Sequence, residues 1–307
     1  MDDRITRIQT KLATLPATEQ ATLGPALTEQ QLSAFEDPHG IRLPEEFRRF
    51  CTSIGHGGYG PTYGLLPIDR WRGRPTAGGA GLADPFPFPP DVDLPAPSAA
   101  QRFPGAIAVV YRGCSDHTLL VVTGPGRGRL VEVNADGNFA PHFHADADFL
   151  AWYERWLDFV LAGYRDLTWF ADQMAGDEAE LVTTLRGDPL VTRRRAAAYT
   201  FITYPTPSAG LPGVLAEALV SEPQPSVRET IVRALAAQGD HGRDLLPAAL
   251  ADPVPRVRSL AAILMTTDSM SGRRIGKHLH RVLGEHLAVE EDPEVRATIG
   301  RMLRASS

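Results

Sequence analysis

Hydrophobic positions recur with two different periods along this 307-residue chain. Ile5, Ile8, Leu12 and Leu15 fall at helical spacing and predict a helix over 3–15. Thr28 and Gln31 form a capping-box pair ahead of Leu32 and Phe35, which share a helical face. Asp37-Pro38-His39-Gly40 ends that helix, since proline lacks the amide and glycine tolerates positive φ. Pro44 suits the first position of a second helix, and Glu45 and Glu46 favour the positive end of its dipole. Phe47, Phe50, Cys51 and Ile54 form its apolar stripe, and the glycine-rich run Gly55–Pro61 breaks it.

The period then shortens. Ile107–Tyr111, Thr118–Val122 and Arg129–Val133 are β-branched and apolar, and short glycine-bearing connections join them into an expected antiparallel meander. A closing helix follows, with Asp146 as its expected cap. Its aromatic stripe is Phe149, Trp152, Tyr153, Trp156, Val160 and Leu161. Between the helices and the meander, residues 73–105 are rich in proline and glycine. They read either as a binding insert or as a cover over a sheet edge. Helices, a sheet and a closing helix make an α+β domain over residues 1–165.

From about residue 170 the strand pattern stops. Asp188-Pro189, Glu222-Pro223, Asp252-Pro253 and Asp292-Pro293 each precede a residue-Arg pair, at Thr192-Arg193, Val227-Arg228, Val257-Arg258 and Val295-Arg296. Val227, Ile231, Ala234 and Leu235 form one stripe, and Val257, Leu260, Ala261 and Leu264 another. Leu211, Val214, Leu215, Ala218 and Leu219 supply a partner helix. Each unit has an apolar face that it cannot bury alone, so stacking must supply the core.

Two family resemblances sit on these residues. Leu32, Phe35-Glu36, Ile41-Arg42-Leu43-Pro44, Phe47 and Gly55-His56-Gly57-Gly58, followed by Tyr63–Ile68, resemble the SUKH superfamily. That family includes bacterial toxin-immunity proteins and fungal cell-wall-synthesis regulators. Its motif specifies a fold and carries no catalytic chemistry. The Pro-then-Val-Arg pattern over 172–304 resembles HEAT repeats, an all-α solenoid. Together they imply a SUKH-like α+β domain followed by a HEAT-like helical array.

Composition narrows the function classes. The chain is 43% hydrophobic and 22% charged, with net charge −6. Residues 1–165 carry 15 basic and 19 acidic side chains, and residues 166–307 carry 16 and 18. Neither part has the basic excess of a nucleic-acid binder. Arg193-Arg194-Arg195 is a basic cluster, but no aromatic residue follows Tyr204 to stack a base. The repeated arginines Arg193, Arg228, Arg258 and Arg296 are expected to pair with acidic residues between units. No run of about 18 apolar residues exists to cross a membrane, and the N-terminus shows no apolar leader; a cytoplasmic protein is expected. Cys51 and Cys114 are unpatterned, which suggests no disulfide framework, and each is expected to be a buried small hydrophobe.

Three stretches carry residue types suited to chemistry. His142, His144, Asp146 and Asp148 include metal-binding types, but helix capping already accounts for the two aspartates, so no metal site is expected. Gly124-Pro125-Gly126-Arg127-Gly128-Arg129 looks like a phosphate loop, yet a strand follows where such loops need a helix, so it reads as a hairpin turn. His39 and His56 border helix-breaking turns, and His117, His278, His280 and His286 have no nucleophile at recognisable spacing. No enzyme activity and no cofactor are expected.

The SUKH resemblance implies an immunity protein that binds a cognate toxin domain stoichiometrically. The alternative is an intracellular scaffold joining two partners through its two domains. Candidate partner contacts are His56, Tyr59 and Tyr63 on the glycine-rich turn, and Trp71, Phe86 and Phe88 on and beside the proline-rich insert. Aromatic side chains there would serve as anchors or as plugs for the domain's own core.

Overall fold

The computed structural model describes residues 3–15, 22–71, 81–95, 103–266 and 277–305. It divides into two compact units, Met1–Met174 and Ala175–Ser307. The first unit is mixed α+β around a four-stranded antiparallel sheet, and the described part of the second is helical.

The first unit opens with α1 (Asp3–Thr14), α2 (Glu29–Glu36) and α3 (Glu45–Ser53). The capping box forms as expected, with Thr28 Oγ1 accepting from Gln31 N and Gln31 reaching back to Thr28 N. Phe47, Phe50 and Cys51 of α3 are buried. Glu36 organises the link between α2 and α3. Its buried carboxylate accepts Leu43 N–H at 2.8 Å and pairs with the equally buried Arg48. The extended segment Ile41–Pro44 is therefore tied to both helices. The glycine-rich turn is tight enough to require its glycines. A Cβ on Gly58, at φ +88°, would lie 2.3 Å from the Thr22 carbonyl oxygen.

The meander is β1 (Ala106–Gly113), β2 (Asp116–Val121), β3 (Leu130–Asn134) and the short β4 (His142–Phe143), in that order. Ile107 pairs with Leu120, and Leu119 with Val131. The outer edge of β1 is occupied by the chain after the glycine-rich turn. Leu66 N donates to Val109 O, and Ala108 N donates to Trp71 O. The helical face of the sheet packs against α1, α3 and the closing helix α4 (Phe149–Ala162) through Leu120, Leu130, Phe50, Phe149 and Tyr153. The opposite face packs Leu119, Val121, Val131 and Val133 against Phe86 and Phe103. The proline-rich stretch thus covers a sheet face, where an edge cover or a binding insert was expected. Its residues 72–80 and 96–102 lie outside the described residues.

The second unit contains α5 (Glu178–Gly187), α6 (Val191–Thr203), α7 (Leu211–Ser221), α8 (Pro225–Ala237), α9 (Gly239–Arg243), α10 (Pro255–Thr266), α11 (Lys277–Val289) and α12 (Pro293–Ala305). α6, α8, α10 and α12 pack in succession. Behind them, α5 pairs with α6, α7 with α8, the 3-10 helix Leu246–Ala251 with α10, and α11 with α12. The expected stripes are buried: Val227, Ile231, Ala234 and Leu235 on α8, and Val257, Leu260, Ala261 and Leu264 on α10.

An arginine ladder links the successive units. Arg194 Nε and Nη2 grip Glu222, Arg228 grips Asp252, and Arg258 grips Glu290, each through two hydrogen bonds. Each arginine also donates Nη1 to backbone carbonyls six and five residues before it: Asp188 and Pro189, Glu222 and Pro223, Asp252 and Pro253. The acids in turn accept the amide two residues on, at Gln224, Val254 and Asp292. Two corrections follow. The first rung is Arg194, not Arg193, and Arg296 grips no acid as the other three rungs do; the last acid, Glu290, stands two residues before Asp292. The rung arginine stands six residues after its unit's acid, and that helical phase, rather than a Val-Arg pair, selects it. Arg296 keeps the carbonyl half of the pattern, donating to Glu290 O at 2.7 Å.

Candidate functional site

The first unit concentrates its buried polar groups where β1, β2, β3 and β4 meet α4. Glu132 on β3 is fully buried. Its carboxylate accepts from Thr118 Oγ1 and pairs with His144 Nε2, both at 2.7 Å, and with Arg112 Nη1 at 2.9 Å. Arg112 also reaches Asp172 at 3.2 Å. On the other side of His144, Nδ1 lies 3.3 Å from Arg155 Nη2, and Arg155 chelates Asp146. Arg155 stacks over Phe170, its Cζ 4.0 Å from the ring centroid.

The charges are set by this arrangement. Burial works to raise the Glu132 carboxyl, but Arg112 and the hydrogen bonds of His144 and Thr118 outweigh it and hold it down to about 2. Burial pushes the His144 imidazole below the usual histidine range despite Glu132. Because Arg155 donates to Nδ1, the neutral ring carries its proton on Nε2 and gives it to Glu132. Burial works to raise Asp146 too, and the Arg155 charge overrides it and lowers it. The carboxylates are thus ionised and mutually engaged. Such a chain fixes the sheet against α4.

This network revises the reading of residues 142–148. Asp148, not Asp146, caps α4, accepting from Ala151 N at 3.0 Å. Asp146 is the partner of Arg155. His142 and His144 separate chemically: His142 Nε2 faces Asp172 at 3.6 Å, and His144 faces Glu132. Among the described residues no group of three or more His, Cys, Asp or Glu is placed to hold a metal ion. Glu132, Arg112 and Arg155 were not singled out from the sequence. The available signal was a lone glutamate between two valines in an apolar strand.

The turn at Gly124–Arg129 joins β2 to β3, with Arg129 followed directly by the strand. Its Arg127 donates to Arg42 O and Leu43 O, clamping the Ile41–Pro44 segment from the sheet side. Cys51 is buried as expected and Cys114, contrary to expectation, is exposed; both are free thiols. Burial pushes the Cys51 thiol up, so it remains protonated.

The six candidate partner contacts divide sharply. Trp71 and Phe86 are each 1% exposed and cannot act as surface anchors. Trp71 packs on Phe35 and Phe47 and donates Nε1 to Leu66 O. Phe86 sits over the sheet, with Phe88 half-buried against it at 5.7 Å. His56 is half-buried, its Nδ1 2.8 Å from Pro25 O within the glycine-rich turn. Tyr59 packs on Trp156, and its carbonyl accepts from the Tyr153 hydroxyl. Tyr63 alone of the six is exposed, at 75%. It lies beside Tyr111, which sequence reasoning absorbed into a strand.

Comparison with known proteins finds no matching family model, no curated relative and no similar solved structure.

Proposed function

We propose that this chain is a non-catalytic protein-binding factor, an immunity protein that neutralises a bacterial toxin by occupying it. Its N-terminal unit is read as SUKH-like and its C-terminal unit as HEAT-like. The observation that carries this reading is the behaviour of the quoted motif. Leu32, Glu36, Leu43 and Phe47 are buried, Glu36 bonds both Leu43 and Arg48, and Gly55 N at the head of the glycine run donates to Phe50 O on α3. That is how a fold-specifying motif without catalytic chemistry should behave. The buried acids, histidine and arginines are committed to one another, which suits a rigid binding scaffold.

The test is co-expression with a toxin encoded beside the gene. Cells should survive at near one-to-one stoichiometry, with the toxin recovered chemically unaltered. Rescue at far lower protein levels, with a modified toxin, would overturn the reading in favour of an enzyme. A second reading, a scaffold joining two partners, draws support from the two compact units, each with its own buried core. Stable capture of two unrelated proteins, one per unit, would favour it.

A further inference from the structure

Among the described residues, the sheet face opposite α4 is covered along only part of its length. Phe86 and Phe103 lie over the stretch holding Leu119 and Val131. Toward the β1–β2 turn the same face presents Tyr111, directly across from His117 and 43% exposed. Tyr63 reaches this point from the glycine-rich turn. Its ring centroid is 6.2 Å from that of Tyr111. A Cβ on Gly113 would come within 3.5 Å of the Tyr63 ring, so the tyrosine rests on the hairpin tip.

Strain gathers around this pair. Four non-glycine residues among those described have positive φ, and three of them adjoin it: Thr62 immediately before Tyr63, and Cys114 and Ser115 in the β1–β2 turn. Cys114 and Ser115 are the two central residues of the β1–β2 hairpin loop, whose favoured geometry needs positive φ at both positions, and non-glycine residues there cost free energy. Two large aromatic rings left side by side in water are not what core packing selects.

The local charge defines the occupant. Beside the pair lie half-buried Asp116 and exposed Asp136, residues 59–68 carry no charge, and Arg112 turns to the α4 side, where it is buried against Glu132. Ala135 N donates to Ser115 O at 2.9 Å, which brings the turn bearing exposed Asp136 beside the hairpin tip. Tyrosine faces attract cations, and nearby carboxylates add to that field. We propose that Tyr63 and Tyr111 anchor a protein-binding surface whose partner presents a basic segment, an arginine or lysine laid on the paired rings. This deepens the reading of the chain as a binding protein and rests on it.

The test is selection of a random-peptide phage library on the immobilised full chain. Enriched peptides should carry Arg or Lys, and their binding should weaken between about 50 and 500 mM salt. Tyr63→Ala and Tyr111→Ala should each lower the affinity at least about tenfold, as loss of a hot-spot tyrosine does. Tyr63→Phe, which keeps the ring, should lose less than about threefold. Trp169→Ala, removing another exposed aromatic of the same unit, should change little. Urea midpoints of the Tyr63 variants should match the wild type, which separates binding from folding. Enrichment of acidic or uncharged peptides, equal binding by both alanine variants, or no enrichment at all would each overturn the proposal. If Tyr63→Ala plus Tyr111→Ala still rescues cells from a bound toxin, the surface is wrong and the binding reading stands.

Discussion

Arg228 on α8 holds Asp252 in a two-pronged ion pair, Nε to Oδ2 at 2.7 Å and Nη2 to Oδ1 at 3.0 Å. Both side chains are nearly buried, and the remaining nitrogen of Arg228 donates to the carbonyls of Glu222 and Pro223. One guanidinium therefore joins the end of one unit to the start of the next. Repeated at Arg194 and Arg258, the same geometry fixes the stacking register of the second unit.

Breaking this pair should be expensive. Arg228→Ala leaves a buried carboxylate and two carbonyls without their donor, and removing one partner of a buried pair costs about 3–5 kcal/mol. The exposed pair Arg186–Glu217 supplies the control. Arg186→Ala should cost less than about 1 kcal/mol. Urea denaturation of the two variants measures the contrast. Equal small losses would mean that the ladder does not hold the units together.

Acid should destabilise the first unit in two windows. His144 is held below the usual histidine range, so the unfolded chain takes up its proton first. Stability from this residue is full above about pH 6.5 and falls as pH drops through the folded value. Glu132, held at about 2, adds a second loss below about pH 4.5, where the unfolded carboxyl protonates. His144→Gln can still donate to Glu132 and accept from Arg155 but does not titrate. It should flatten the upper window and leave the lower one intact, as read from urea midpoints between pH 3 and pH 8.

Phe47→Ala tests the helical face of the core. Phe47 is buried, with its ring 5.0 Å from Trp71 and 4.7 Å from Phe149. Truncation should cost about 3–5 kcal/mol through lost transfer and the cavity left behind. An unchanged urea midpoint would mean that α3 buries another face.

Trp71→Ala and Phe86→Ala should behave as core variants, not as interface variants. Each side chain fills one of the two cores, so each should lose about 3–5 kcal/mol of stability. Once corrected for the fraction folded, their affinity for any partner should match the wild type. A tenfold affinity loss at unchanged stability would restore them as anchors.

What the sequence determined by itself is local. The capping box at Thr28, the stripe Phe47–Phe50–Cys51, the three main strands and the stripes of α8 and α10 all follow from spacing within one or two turns, and the structure contains them. Helix and strand periods are properties of consecutive residues, so they are legible without a partner. What tertiary structure decided is which side chains meet. Trp71 and Phe86 read as anchors because nothing in their neighbours along the chain shows that a sheet edge and a sheet face close over them. Arg193 and Arg194 are indistinguishable until the unit's acid fixes the helical phase. Glu132, Arg112, Asp172, His144 and Arg155 stand up to 60 residues apart, and only the meander, α4 and the short helix Phe170–Asp172 link them into one polar chain. Tyr63 and Tyr111 are likewise separate in the chain; the glycine-rich turn and the β1–β2 hairpin set their rings side by side in water. Burial and long-range pairing depend on how the surfaces of whole elements fit, and no window of neighbouring residues encodes that fit.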